Sequence, residues 1–315
     1  LDAQPASDVV LTVTSSDTGE ATVTSTLTFT NANWDTPQTV TVTGVDDNII
    51  DGTISSTITI AVDDASSDND FDAVSDQTVT AATTDDDVAG FTVVESGGST
   101  SVDESGTTDT FTIVLDAQPA SNVVIAMSSS DTGEATLSGT LSFTNANWDT
   151  PQTVTVTGVD DDLIDGTIAS TITIAVSDSE SNDSFDNLAD QIVSSNTTDD
   201  DTAGFTVAET DGSTEVAESG TTDTFTVVLD AQPASDVVVV LTVTSGDTGE
   251  ATVTSALTFN DTNWDTPQTV TVTGVDDDII DGTISSTVSV AVDDASSDDD
   301  FDAVADQTVT ATTTD

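Results

Sequence analysis

Residues 147–161 read NWDTPQTVTVTGVDD. Val154 and Val156 alternate with Thr153, Thr155 and Thr157, the period-two pattern of a half-buried strand. Pro151 stands just before that run, at a strand edge where a missing N–H is tolerated. The two aspartates close it as a polar turn. Trp148 is expected to plug one end of whatever core these strands enclose. The same fifteen residues recur at 33–47 and 263–277.

Working outward, the recurrence covers the whole chain. LDAQPAS begins at Leu1, Leu115 and Leu229, a spacing of 114. The tryptophans Trp148 and Trp264 are 116 apart, because the third copy carries two extra residues within DVVVVLTVTSGD. An insertion of two inside a strand keeps later side chains on their faces. An acidic run followed by AGFTV marks Asp85–Val93 and Asp199–Val207. These marks predict three units: 1–87, 88–201 and 202–315. The first lacks about 29 residues present in the others, its opening strands. Either neighbouring sequence or a donated strand from another subunit could supply them.

Repeat two predicts seven strands. GFTVVE and TSVDE form a split strand A. TFTIVLD is B, with Phe111, Ile113 and Leu115 on one face. NVVIAMSSSD is C and EATLSGTLSFT is D. QTVTVTGVDD is E, with Val154, Val156 and Val159 inward. GTIASTITIAV is F, with Ile172 and Ile174 inward, and DQIVSSNTT is G. Seven short alternating strands with tight turns and no helical periodicity predict an all-β protein of tandem Ig-like antiparallel sandwiches.

Composition removes many functions. The 315 residues include 60 Asp and Glu, and no Lys, Arg, His, Cys or Tyr, for a formal charge of −60. Nucleic-acid phosphates and anionic membrane surfaces have no cation to meet. Triads, thiolates, Schiff bases, zinc sites and disulfides have no residues to build them. The longest apolar stretch, Val237–Val243, is far short of a membrane span. With no initiator Met and no basic residue, the chain reads as an internal or processed segment of a larger secreted protein.

If seven strands alternate in direction, A, C, E and G end at one pole. In repeat two those ends carry Asp103–Glu104, Asp131, Asp160–Asp162 with Asp165, and Asp199–Asp201. Two carboxylates ~4 Å apart repel by about 4 kcal/mol at an effective dielectric near 20. Such a pole calls for cations, and an all-oxygen carboxylate set specifies Ca2+ ahead of magnesium. A solvated acidic surface would explain the total charge but not the convergence. DDNIIDG at Asp46–Gly52 is no EF-hand, because its spacing is wrong and no helices flank it.

The order of these segments resembles the Calx-beta domain: GFTVVE…SVDESGTTDTFTIVLD, SSSDTGEA, LSFTNANWDTPQTVTVTGVDDDLIDG, then DDD. It departs where DTGEA stands for the family's DGTA. The resemblance implies an Ig-like sandwich that binds calcium at the end facing the next domain. The implied ligands are Glu104, Asp131, Asp160, Asp161, Asp165, Asp199, Asp200 and Asp201. In repeat three they are Glu218, Asp247, Asp276, Asp277 and Asp281. In repeat one they are Asp17, Asp46, Asp47, Asp51, Asp85, Asp86 and Asp87. The chain also looks like repeats of large bacterial surface proteins, adhesins and extracellular fibres.

The expected role is therefore structural and not enzymatic: a calcium-stiffened stalk or filament subunit at a bacterial cell surface, with calcium at the joints between repeats. Its expected partners are copies of itself, in a head-to-tail filament or a continuous array. No nucleic acid and no membrane insertion are expected. The acidic F–G loops (Asp63–Asp70, Asp178–Asp186, Asp293–Asp300) are expected either to face the preceding pole across each joint or to stand exposed. The alternative function is an adhesin module holding glycan or another surface through calcium and Trp148. Asn182, Asn196 and Asn260 fit a glycosylation pattern.

Overall fold

The computed structural model describes residues 1–234 and 237–315. Ser235 and Asp236, beside the expected insertion, lie outside the described residues. Among those described there are strands and short 3-10 turns, and no helix long and apolar enough to cross a membrane.

Repeat two holds the complete set. Strand A is Phe91–Glu95 and A′ is Thr100–Asp103. B is Thr108–Leu115 and C is Val123–Ser129. D is Ala135–Leu137 and D′ is Leu141–Phe143. E is Gln152–Gly158, F is Thr167–Val176 and G is Gln191–Thr198. One sheet is ordered D–E–B–A and the other D′–C–F–G–A′. Neighbours are antiparallel except A′, which runs parallel to G. This is an Ig-like sandwich in which two strands change sheets. The change in A, expected from the sequence, passes through Gly97 and Gly98 with φ 71° and 84°, a conformation most side chains resist. The sequence predicts D as one strand. Ser138–Thr140 break its alternation, so its halves pair with E and C respectively.

The alternating residues fill the space between sheets. Phe111, Ile113, Leu115, Val154, Val156, Ile172, Ile174 and Val193 are all buried. Val159 is only half-buried, because strand E ends at Gly158. Trp148 packs against this core from its edge, and its carbonyl accepts the Leu115 N–H at 3.1 Å. Phe185, in a 3-10 turn of the F–G loop, is a fully buried plug that alternation does not reveal. Ser170 and Ser195 face each other across F and G, and neither buried hydroxyl has a hydrogen-bond partner. Ser195→Ala is therefore expected to raise stability by about 1 kcal/mol, read as a higher urea midpoint at unchanged slope.

Repeat three repeats this architecture, from Phe205–Glu209 (A) to Gln307–Thr314 (G). Its strand C, Val238–Ser245, buries Val239, Leu241 and Val243. The faces are kept, but Val237 and Val238 are exposed. The extra residues fall at the start of strand C, where Val238 pairs with Asn260 and Val237 lies just before it.

Repeat one contains C (Val9–Ser15), D (Ala21–Val23), D′ (Thr26–Phe29), E (Val42–Gly44), F (Ile54–Val62) and G (Gln77–Thr83). Among the described residues no A, A′ or B strand lies over its faces. Val79 is 55% exposed where its counterpart Val193 is 3% exposed.

Candidate metal centre

Strand direction brings the acidic ends together. A′ leaves strand G by a last backbone bond, Glu104 N–H to Thr198 O at 3.1 Å, so Glu104 turns into the end of the sandwich. Gly158 permits this approach. A Cβ there would lie 2.0 Å from the Asp103 carbonyl oxygen, and at the equivalent Gly274 2.1 Å from that of Ala217. Glu134, at the turn before D, is fixed by its own carbonyl, which accepts Val159 N–H at 2.9 Å and the Thr197 hydroxyl at 3.2 Å. The E–F loop supplies Asp161 and Asp165, and the segment after G supplies Asp201.

Oxygens of Glu104, Glu134 and Asp165 lie within 4.8 Å of one another, as do those of Glu104, Asp161 and Asp201. Glu104 is shared and only 1% exposed. One oxygen each of Glu104, Glu134, Asp165 and Asp201 is buried without a hydrogen-bond partner. In repeat three, Glu218, Glu250 and Asp281 form the same kind of group, again with unpartnered oxygens on both glutamates.

The other expected ligands have different placements. Asp199 accepts the N–H groups of Asp165 (3.0 Å), Gly166 (2.9 Å) and Asp201 (2.7 Å), so it holds the E–F loop to the end of G. Asp85 does the same in repeat one, through Asp51, Gly52 and Asp87. Asp17, Asp131 and Asp247 are exposed at the rim, each accepting the N–H of the glycine two residues on. Asp277 accepts Ile279 N–H, as Asp47 and Asp161 accept theirs. Asp160, Asp200 and Asp276 face solvent. In repeat one, Asp46, Asp47, Asp51 and Asp85–Asp87 line one concavity with Glu20. Among the described residues they form no three-oxygen group, and no residue there corresponds to Glu104.

Glu134, Glu250 and Glu20 were not singled out from the sequence. Their signal is the glutamate that recurs before a buried alanine in each DTGEA.

Burial first, and then the charges of Asp161, Asp199, Asp165 and Glu134, push the Glu104 carboxyl up to about 7. Burial and the neighbouring aspartates, Asp199 first, push Asp201 up to about 6. Glu134, Asp165, Glu218 and Glu250 are raised for the same reasons. A raised carboxyl takes up a proton on folding. Its penalty is absent below the ordinary pKa and complete above the folded one. The window for Glu104 runs from 4.5 to about 7. Carboxylates lowered by hydrogen bonds, such as Asp85 and Asp68, lose their stabilising effect only as pH falls below 3.8. Dialysed free of divalent ions, the protein is expected to melt higher at about pH 5 than at about pH 8. Calorimetric scans across that range check the sign.

The joints are built from the same loop. Ile50 N–H donates to Gln118 O at 3.3 Å, and Gln118 N–H donates to Asn48 O at 2.7 Å. At the next joint Ile164 N–H meets Gln232 O at 3.5 Å, and Gln232 N–H meets Asp162 O at 2.7 Å. Ile50 and Ile164 pack against the core of the following repeat. The E–F loop thus docks on the next B–C loop. The sequence does not single out this contact. At the same end of the sandwich the F–G loop braces its own B–C loop: Asp68 accepts the N–H groups of Ala6 and Ser7 at 2.7 and 3.0 Å, and Asp298 that of Ala234 at 3.0 Å.

No protein-family model and no curated protein matches the chain. Among solved structures it is similar to the calcium binding domain CBD12 of CALX1.1, at 18% identity and TM-score 0.26, over 64% of this chain and 80% of that one. It is similar to the D0-D1 domain of intimin, at 20% identity and TM-score 0.22, over 70% and 94%. Domains 4-9 of the surface layer protein SbsC match at 16% identity and TM-score 0.28, over 96% and 39%. The fold stands on the strand pairing described above and not on these likenesses.

Proposed function

We propose that the chain is a calcium-stiffened, tandem-repeat stalk of the cell exterior, with a structural and not a catalytic role. The observation that carries this is Glu104: a carboxylate 1% exposed, unpartnered at one oxygen, at the meeting of two three-carboxylate groups. Buried charge of one sign is costly without a counter-ion. Oxygen-only ligands in a flexible array of loops suit calcium, whereas magnesium wants stricter geometry.

The residues that would hold the ion also reach the joint. Asp161 and Asp165 flank Leu163 and Ile164, the pair that meets the next repeat. Asp201 lies two residues before Ala203, which packs on the next core. An ion bound by these carboxylates would fix the E–F loop and the connecting segment together. A bendable string would then become a rod. Recurrence of the group in repeat three favours a scaffold, where length is the product, over a single unique site. Bacterial surface location belongs to this proposal.

Small-angle scattering of the whole chain tests it. Calcium is expected to narrow the spread of shapes and lengthen the particle, and sodium of matched ionic strength is not. Equal responses to both salts would overturn the stiffening role.

A further inference from the structure

Repeat two is joined to a neighbour at each pole. Strand A is entered through residues 87–89 at one pole, and strand G leaves through residues 199–201 at the other. A pull along the chain therefore draws A toward one pole and G toward the opposite one.

These entry and exit strands are bound to each other. A′ runs parallel to G, with Thr100 to Asp103 beside Ser195 to Thr198. Just past that register, Glu104 N–H donates to Thr198 O at 3.1 Å, and the Thr198 hydroxyl donates to Val102 O at 3.3 Å. At the start of G, the Gln191 side chain donates to the carbonyl of Phe91, the first residue of A, at 2.6 Å. A is also paired along its length with B, Phe91 to Glu95 against Leu115 to Phe111. Gly158, where a Cβ would lie 2.0 Å from the Asp103 carbonyl oxygen, seats A′ against the end of E. The entry strand is thus stitched into both sheets and tied to the exit strand near both poles. Repeat three has the same ties. Glu218 N–H donates to Thr314 O at 3.0 Å, the Thr314 hydroxyl to Val216 O at 3.4 Å, and the Gln307 side chain to the Phe205 carbonyl.

Direction decides how such bonds fail. Parallel neighbours drawn from opposite ends must slide past each other, so the bonds running across them are loaded together. Antiparallel neighbours drawn apart at one end open pair by pair. A backbone bond contributes only about 1 kcal/mol net, so stepwise opening meets a small barrier at each pair. Sliding has to break the whole set at once.

We propose that repeats two and three are tension-bearing clamps, in which a pull along the chain loads A, A′ and G in shear. Resistance to unfolding under load is a property separate from stiffness at the joints. It suits a chain held at both ends, and it does not depend on the calcium site.

Single-molecule pulling on the whole chain in chelator tests it. Handles at the two termini load A against G. The chain has no cysteine, so Asp178→Cys with Asp190→Cys places a second pair of handles on the F–G loop of repeat two. Both positions are exposed, and a wild-type melting curve shows that the variant is folded. Should that pair disturb the fold, Ser179→Cys with Ala189→Cys, also exposed, loads the same strands. Either pair opens F from G in sequence, beginning at Ile174 and Gln191. The end-to-end pull is expected to release whole repeats of 114 residues, roughly 350–400 Å of extended chain each. It is expected to need several times the force of the F–G pull at the same loading rate, because forced unfolding reads the barrier to unfolding. Equal forces in the two directions, or a lower force end to end, would overturn the proposal.

Discussion

Glu104→Gln is expected to act in opposite directions with and without calcium. Without divalent ions at neutral pH or above, the wild-type carboxylate is charged at a cost, because it is buried beside Asp161, Asp165 and Asp199. The neutral isostere removes that cost. Repeat two of the variant is expected to be more stable by about 1–2 kcal/mol. With calcium present the order reverses. Glu104 belongs to both three-oxygen groups of repeat two, so the substitution takes a charged ligand from each. Affinity at that pole is expected to fall roughly 100-fold. Repeat three keeps Glu218, Glu250 and Asp281 and serves as an internal reference. Paired thermal scans of both proteins, with chelator and with calcium, read both signs. A variant less stable than wild type in chelator would mean that Glu104 is a packing residue.

Gly158→Ala has the largest expected cost. The added methyl would sit 2.0 Å from the Asp103 carbonyl oxygen and 3.3 Å from a Val102 methyl. Neither the chain end of A′ nor strand E can move without breaking the A′–G pairing at Thr198 and Asp103. Overpacking against backbone should cost about 3 kcal/mol or more, lowering the melting point of repeat two by roughly 10 °C or more. Because the same clash displaces Glu104, the calcium response of repeat two should disappear with it. Gly44 is the control. Among the described residues no A′ strand lies over Gly44, and a Cβ there meets only a Thr83 methyl at 3.7 Å. Gly44→Ala should therefore be nearly neutral.

Much of this arrangement is legible in the sequence. Valine–threonine alternation defines the strands, and strand parity alone places Glu104, Asp161, Asp165 and Asp201 at one pole. Parity says nothing about side-chain aim. Asp131 ends strand C at that pole as expected, yet its carboxylate caps the Gly133 N–H. Glu134 sits in a turn and not at a strand end, so strand counting passes over it. The E–F contact at the joint escapes strand counting for a similar reason. B–C, D–E and F–G loops all lie at the receiving pole, and their composition favours the acidic F–G loop. The backbone of Gln118 and Gln232, invisible to composition, makes the choice.

The account depends most on calcium occupying the Glu104 pole. Isothermal titration of calcium into the whole chain, in a background of molar sodium chloride, tests this directly. Saturable binding at two or more sites that survives the salt, with the sites of repeat two lost in Glu104→Gln, is the expected result. Heat that vanishes in sodium chloride, or that is unchanged by the substitution, would show that the pole carries only a diffuse ion atmosphere.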